Sequence, residues 1–170
     1  LVNEGGSQLG SIVIEDDRIE EILIGRDVTP VLPTDSTIDA EGCYLLPGVI
    51  DEHVHFRDPG LTHKADFDSE SRAAAAGGVT TVLDMPNTIP ATVTAEALQE
   101  KIERAQNLCH VNFGFFVGAT ADNAHRLRQI NPSIVAGVKL FMGSSTGSLQ
   151  VEDPHALFTV FEQSRLPIMV

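Results

Sequence analysis

From Gly48 to the C-terminus, short apolar runs alternate with amphipathic stretches. Gly48-Val49-Ile50-Asp51, Val79-Thr80-Thr81-Val82-Leu83, Phe113-Gly114-Phe115-Phe116-Val117, Val135 to Phe141 and Leu166 to Val170 are short and rich in β-branched or aromatic residues. Such runs read as buried strands. A helical stretch around Asp68 to Ala76 ends at Gly77-Gly78, where a left-handed C-cap fits. Thr94 opens a helix with Leu98, Ile102, Ala105 and Leu108 on one face. Asp122 to Ile130 reads as the next helix. Asp153-Pro154 supplies an N-cap and N1 pair for a helix carrying Leu157, Val160 and Phe161. Five strands and four helices in strict alternation predict a parallel α/β sheet.

Residues 1–46 follow another pattern. Ser11-Ile12-Val13-Ile14, the acidic Glu15-Asp16-Asp17 and Arg18 to Ile24 read as strand, turn, strand. Pro30, Pro33 and Asp35-Ser36 mark a loop. Further extended segments are expected at Ser36 to Ala40 and at Tyr44-Leu45-Leu46, after the Glu41-Gly42 turn. The expected organisation is a small β module over 1–46 and an α/β region over 47–170.

Composition narrows the function. Eleven Lys and Arg against 24 Asp and Glu leave a net charge of −13. Nucleic-acid binders concentrate basic residues, so no nucleic-acid partner is expected. The 42% hydrophobic content suits a packed core rather than a disordered chain. No apolar run approaches the roughly 18 residues of a membrane span, so no membrane partner is expected. Cys43 and Cys109 form neither a disulfide framework nor a CxxC pair, which points to the cytoplasm. Leu1 in place of Met, and an apolar run at the C-terminus without turn or cap, suggest a piece of a longer chain.

A doubly wound sheet usually carries a Gly-rich phosphate loop after its first strand. Here that strand runs into His53-Val54-His55-Phe56-Arg57. In a (β/α)8 barrel, chemistry sits at the C-terminal ends of strands. His53, His55, Asn87 and Lys139 all fall at such positions. A barrel needs about 250 residues, so the expectation is its N-terminal part.

Alternate residues of a strand share a face, so His53 and His55 can converge on one ion. Short H-x-H matches also occur by coincidence. Lys139 lies in the apolar run Val138-Lys139-Leu140-Phe141. A buried Lys has a depressed pKa and a neutral amine able to react with a carbonyl or carbon dioxide. Alternatively its stem packs while its ammonium reaches solvent. Asp51 either orients an imidazole or belongs to the strand end, and Asp58-Pro59-Gly60 reads as a turn. Gly143 to Gly147 reads as a tight loop close to a substrate. His63, His110, His125 and His155 lack ligand-like spacing.

Three segments in order, Pro47 to Gly60, Gly77 to Thr88 and Gly137 to Gly143, resemble the cyclic amidohydrolases, specifically type I dihydroorotases. The resemblance covers nearly the whole chain and likens residues 1–46 to the small β-sandwich flanking the barrel. It implies a (β/α)8 TIM barrel and a site with two divalent ions, usually zinc. His53 and His55 would bind one ion, and Lys139, carboxylated on its amine, would bridge both. Arg57 and Asn87 match the residues that hold the substrate carboxylate. Bland roles for these two are an ion pair with Asp58 and a turn position. The implied reaction is reversible hydrolysis of dihydroorotate to N-carbamoyl-aspartate in pyrimidine biosynthesis. The family's two later metal His residues and its general acid/base Asp lie on later strands, beyond residue 170. No catalytic acid/base is therefore expected within the chain, and the 170 residues alone are expected to be inactive. The family's tendency towards dimers and higher assemblies implies a homo-oligomer.

Two other readings compete. Hydantoinases and allantoinases share the fold, the H-x-H pair and the bridging Lys, but their substrates lack the ring carboxylate that Arg57 would hold. A silent, dihydroorotase-like scaffold for a partner such as aspartate transcarbamoylase would be expected to lose metal ligands, whereas His53, His55 and Lys139 are intact.

Overall fold

The computed structural model describes residues 1–31, 33–143 and 149–170. They form two compact units, Leu1–Pro47 and Gly48–Val170.

In the first unit, β1 (Val2–Asn3) pairs antiparallel with β2 (Gly6–Ser7), and β3 (Gly10–Glu15) with β4 (Arg18–Ile24). The β3–β4 hairpin turns on Asp16, which has φ +53°. Asp tolerates that left-handed region better than most residues. The extended segments expected at 36–40 and 44–46 are not ladder strands. Their backbone is tied by Cys43 N–H to Ala40 O and by Val2 N–H to Leu45 O. Among the described residues no neighbouring strand supplies a ladder for either segment.

In the second unit, β5 (Val49–Val54), α1 (Phe67–Ala76), β6 (Val79–Asp84), α2 (Ala95–Leu108) and β7 (Asn112–Gly118) follow in turn. A 3-10 helix (Ala124–Gln129), β8 (Gly137–Lys139), α3 (Pro154–Gln163) and β9 (Ile168–Met169) complete it. The five strands are all parallel, in the order β5-β6-β7-β8-β9, and form the curled sheet of a part barrel.

Local chemistry sets the helix ends. Asp66, Thr94 and Asp153 each cap a helix by accepting from the backbone N–H three residues on. Gly78, at φ +84°, turns the chain from α1 into β6. The segment expected as a helix over 122–130 is shorter and more tightly wound, because Asn123 is drawn away. Its side chain bonds Thr120 N–H, Val93 O and Gly118 O. The strand expected over 135–141 narrows to three residues, with an isolated bridge from Phe141 to Gln150.

The core between sheet and helices is built around Phe56, Phe67 and Phe115, stacked edge to face at 6.1 and 6.0 Å. A second cluster centres on Val138, Leu140, Val151 and Val160. No helix among the described residues is long and apolar enough to cross a membrane.

Candidate active site

Strand alternation aims the segment that leaves β5. Val54 and Phe56 turn into the Phe67–Phe115 core, so His53 and His55 take the opposite face. The His53 and His55 ring centroids lie 5.3 Å apart at an interplanar angle of 54°. His53 is exposed and His55 half-buried. Asp51 does not orient an imidazole. Its Oδ1 accepts from the His53 backbone N–H at 3.1 Å, which stiffens the strand end instead.

Asn87, three residues past β6, is buried, and its Oδ1 lies 2.8 Å from His55 Nδ1. That contact places the ring proton on Nδ1 and leaves the Nε2 lone pair directed elsewhere. Burial lowers the His55 pKa below 6.5. The Asn87 bond and Asp84 pull it upward, while Arg57 and His53 add to the lowering. A neutral imidazole is the form that ligates a metal.

Arg57 stands in a left-handed backbone conformation, φ +63°. Its neighbour Asp58 is fully buried and engaged elsewhere: it pairs with Arg104 of α2 and lies 3.5 Å from the Phe67 N–H. Asp58 is thus more than the turn residue expected, and it is not the partner of Arg57. Among the described residues, Arg57 has no carboxylate within ion-pair distance.

Lys139 ends β8, at the same carboxyl end of the sheet. It is buried, with Nζ 5.1 Å from the Phe141 ring centroid and no carboxylate at ion-pair distance among the described residues. Burial lowers its pKa from 10.5.

The structure brings His53, His55 and Asn87 together and sets Arg57 two residues past His55. Lys139 shares the sheet end, three strands along from β5. Among the described residues, no group of three or more His, Cys, Asp or Glu is assembled that could hold a metal. The donors present are two imidazoles and a desolvated amine, a set that suits a borderline-soft divalent ion. The loop over 143–147 lies mostly outside the described residues. His63, His125 and His155 are exposed, and His110 bonds Asp68 at 2.7 Å.

Sequence reasoning missed Lys101 and Asp84. Lys101 is fully buried; its Nζ lies 2.6 Å from Asp84 Oδ2 and donates to Met85 O at 2.9 Å. Asp84 Oδ1 accepts from Phe56 N–H at 2.8 Å. A signal was present: Lys101 falls three residues after Leu98 and four before Ala105, inside the apolar stripe of α2.

Parallel strands with their polar groups gathered at the carboxyl ends follow the plan of the (β/α)8 barrel, and this chain is the N-terminal part of one. The dihydro-orotase-like family model matches residues 42–142, from before the H-x-H pair to beyond Lys139, and the chain belongs to that family. It is 41% identical over 160 residues to a dihydroorotase of Methanosarcina mazei, covering 94% of this chain and 34% of that protein. An allantoinase of Streptomyces avermitilis is 42% identical over 126 residues, covering 69% of this chain and 28% of that protein. The solved L-hydantoinase (dihydropyrimidinase) from Arthrobacter aurescens superposes with a TM-score of 0.80 at 32% identity, over 89% of this chain and 34% of that one. The chain thus spans about a third of the length of the curated relatives it matches.

Proposed function

We propose that the full-length protein is a dihydroorotase, reversibly hydrolysing the cyclic amide of dihydroorotate to N-carbamoyl-aspartate in pyrimidine biosynthesis. Water adds to the ring carbonyl and the ring C–N bond breaks; one water proton goes to the departing nitrogen, the other passes to solvent, and the opened chain ends in a new carboxylate. The observation that carries the reading is Arg57. It follows His55 by two residues and is close enough to act electrostatically on that imidazole, while Arg104, not Arg57, pairs with Asp58. A guanidinium with no carboxylate at ion-pair distance among the described residues suits a substrate carboxylate, which it can grip in two parallel hydrogen bonds. Asn87 Oδ1 is committed to His55, which leaves its amide N–H groups for the same carboxylate.

His53 and His55 would hold one divalent ion, zinc by donor type, and Lys139 would bridge it to a second. Lys139 would do so as a carbamate, its neutral amine bonding to the carbon of carbon dioxide with loss of a proton. Bound divalent ions polarise a carbonyl and lower the pKa of water. Burial favours the neutral form of His55, and the Asn87 bond favours a ring proton on the nitrogen away from the ligating one. The thiols of Cys43 and Cys109 are unpaired, which suits a reducing cytoplasm.

The test is hydrolysis of dihydroorotate by the purified full-length protein, with divalent metal measured by elemental analysis. His55→Ala should remove most of the metal and the activity. Turnover of hydantoin or allantoin without dihydroorotate would instead favour the hydantoinase and allantoinase relatives as the guide to substrate.

A further inference from the structure

Helix α2 sends two cations beneath the β5 exit loop. Lys101 and Arg104, three residues apart on the helix, meet Asp84 and Asp58. Each acid faces a backbone N–H of the loop or of the helix that follows it. Asp84 Oδ1 accepts from Phe56 N–H at 2.8 Å, and Asp58 Oδ2 lies 3.5 Å from Phe67 N–H.

The Phe56 N–H belongs to the peptide that joins it to His55, so the bond from Asp84 holds the backbone next to the His55 side chain. Asp84 is also close enough to act electrostatically on His55. Lys101 is in turn fixed from three sides, by Asp84, by Met85 O and by the Phe115 ring, 5.0 Å from Nζ. A buried ion pair is a poor source of net stability, because both charges lose their water. Net stability alone is thus a weak reason for such a pair, whereas its geometry ties the backbone of the site to a helix.

We propose that Lys101 and Asp84 are positioning residues: their buried ion pair clamps the His55–Phe56 peptide and so fixes the direction in which the His55 side chain leaves the backbone just past β5. Neither touches substrate. This inference rests on the reading of His53 and His55 as metal ligands.

The experiment uses the metal-free full-length protein and compares wild type, Asp84→Asn and the double variant Asp84→Leu/Lys101→Met. Arg72→Ala, which breaks the exposed Arg72–Asp68 pair on α1, serves as the control. Zinc affinity is measured by chelator competition, the visible spectrum after cobalt loading reports ligand geometry, and Tm reports stability.

Asp84→Asn should weaken zinc binding by about 10–100-fold and change the cobalt spectrum, since outer partners of ligands tune affinity by that much. The double variant removes both charges and should regain much of the Tm lost by Asp84→Asn. It leaves the Phe56 N–H unclamped, so its zinc affinity should stay low. Arg72→Ala should match wild type in both affinity and spectrum. Affinity that recovers together with Tm in the double variant, or that never changes, would make the pair merely structural and overturn the proposal. Absence of tight zinc binding in wild type would overturn the metal reading itself, and this inference with it.

Discussion

Asn87 Oδ1 and His55 Nδ1 meet at 2.8 Å across the gap between the ends of two neighbouring strands. The contact ties a residue reached after β6 to one reached after β5, and it selects which imidazole nitrogen is left for a ligand. Asn87→Ala should lower metal affinity by about 10–100-fold, as loss of a partner that orients a ligand does. Chelator competition on the full-length protein measures this. Unchanged affinity would reduce Asn87 to a turn residue.

Arg57→Met should separate substrates. Removing a guanidinium that grips a carboxylate costs roughly 2–5 kcal/mol in a buried pair. The fall in kcat/KM should be large for dihydroorotate and small for a neutral hydantoin. Equal losses on both would make Arg57 structural.

Lys139→Ala should abolish hydrolysis, and short carboxylic acids should partly restore it by standing in for a carbamate. Burial favours the neutral amine, so Lys139 can react with carbon dioxide at a lower pH than an exposed lysine can. Exposure of the wild type to 13C-bicarbonate should give a carbamate resonance that Lys139→Ala lacks. A bare ammonium in the metal-loaded, active enzyme would sink the assignment.

Stability in acid should carry a contribution from Asp68. Its carboxylate bonds His110 and Arg72, which hold its pKa below 3.8. With the folded pKa depressed, this stabilisation is complete above about pH 3.8 and disappears as pH falls through the folded value. Asp68→Asn should therefore flatten the acid limb of a Tm–pH curve below about pH 4 and lower the plateau slightly. An unchanged limb would show that the exposed cluster contributes nothing measurable.

Gly60 closes the loop that carries Arg57. It has φ +86°, and a Cβ there would collide with the backbone carbonyl of Ile89. Ile89 N–H donates to Pro59 O at 3.1 Å beside it. Gly60→Ala should destabilise by about 1–3 kcal/mol through strain and displacement, read as a lower urea midpoint. A neutral result would mean that the two loops separate without cost.

The alternation of β-branched runs with capped, amphipathic stretches was enough to specify a parallel α/β unit, because strand and helix periodicity are local properties. Asp66, Thr94 and Asp153 cap their helices through bonds only three residues long, so these starts were legible too. The parity of His53 and His55 against Val54 and Phe56 follows from the pleat alone, whereas Arg57, left-handed at φ +63°, lies past the strand where the pleat no longer decides. Pairing was not local. The segment over 36–40 has strand-like polarity but no ladder partner among the described residues, and the helix expected over 122–130 gave way to Asn123 bonding Val93 and Gly118. The same holds for Asp58, which resembles a turn residue until Arg104, 46 residues away, reaches it. Lys101 looks like a surface charge until the sheet buries it against Asp84. Charges taken out of water must find partners wherever the fold brings them, so the clamp beneath His55 was decided by tertiary structure alone.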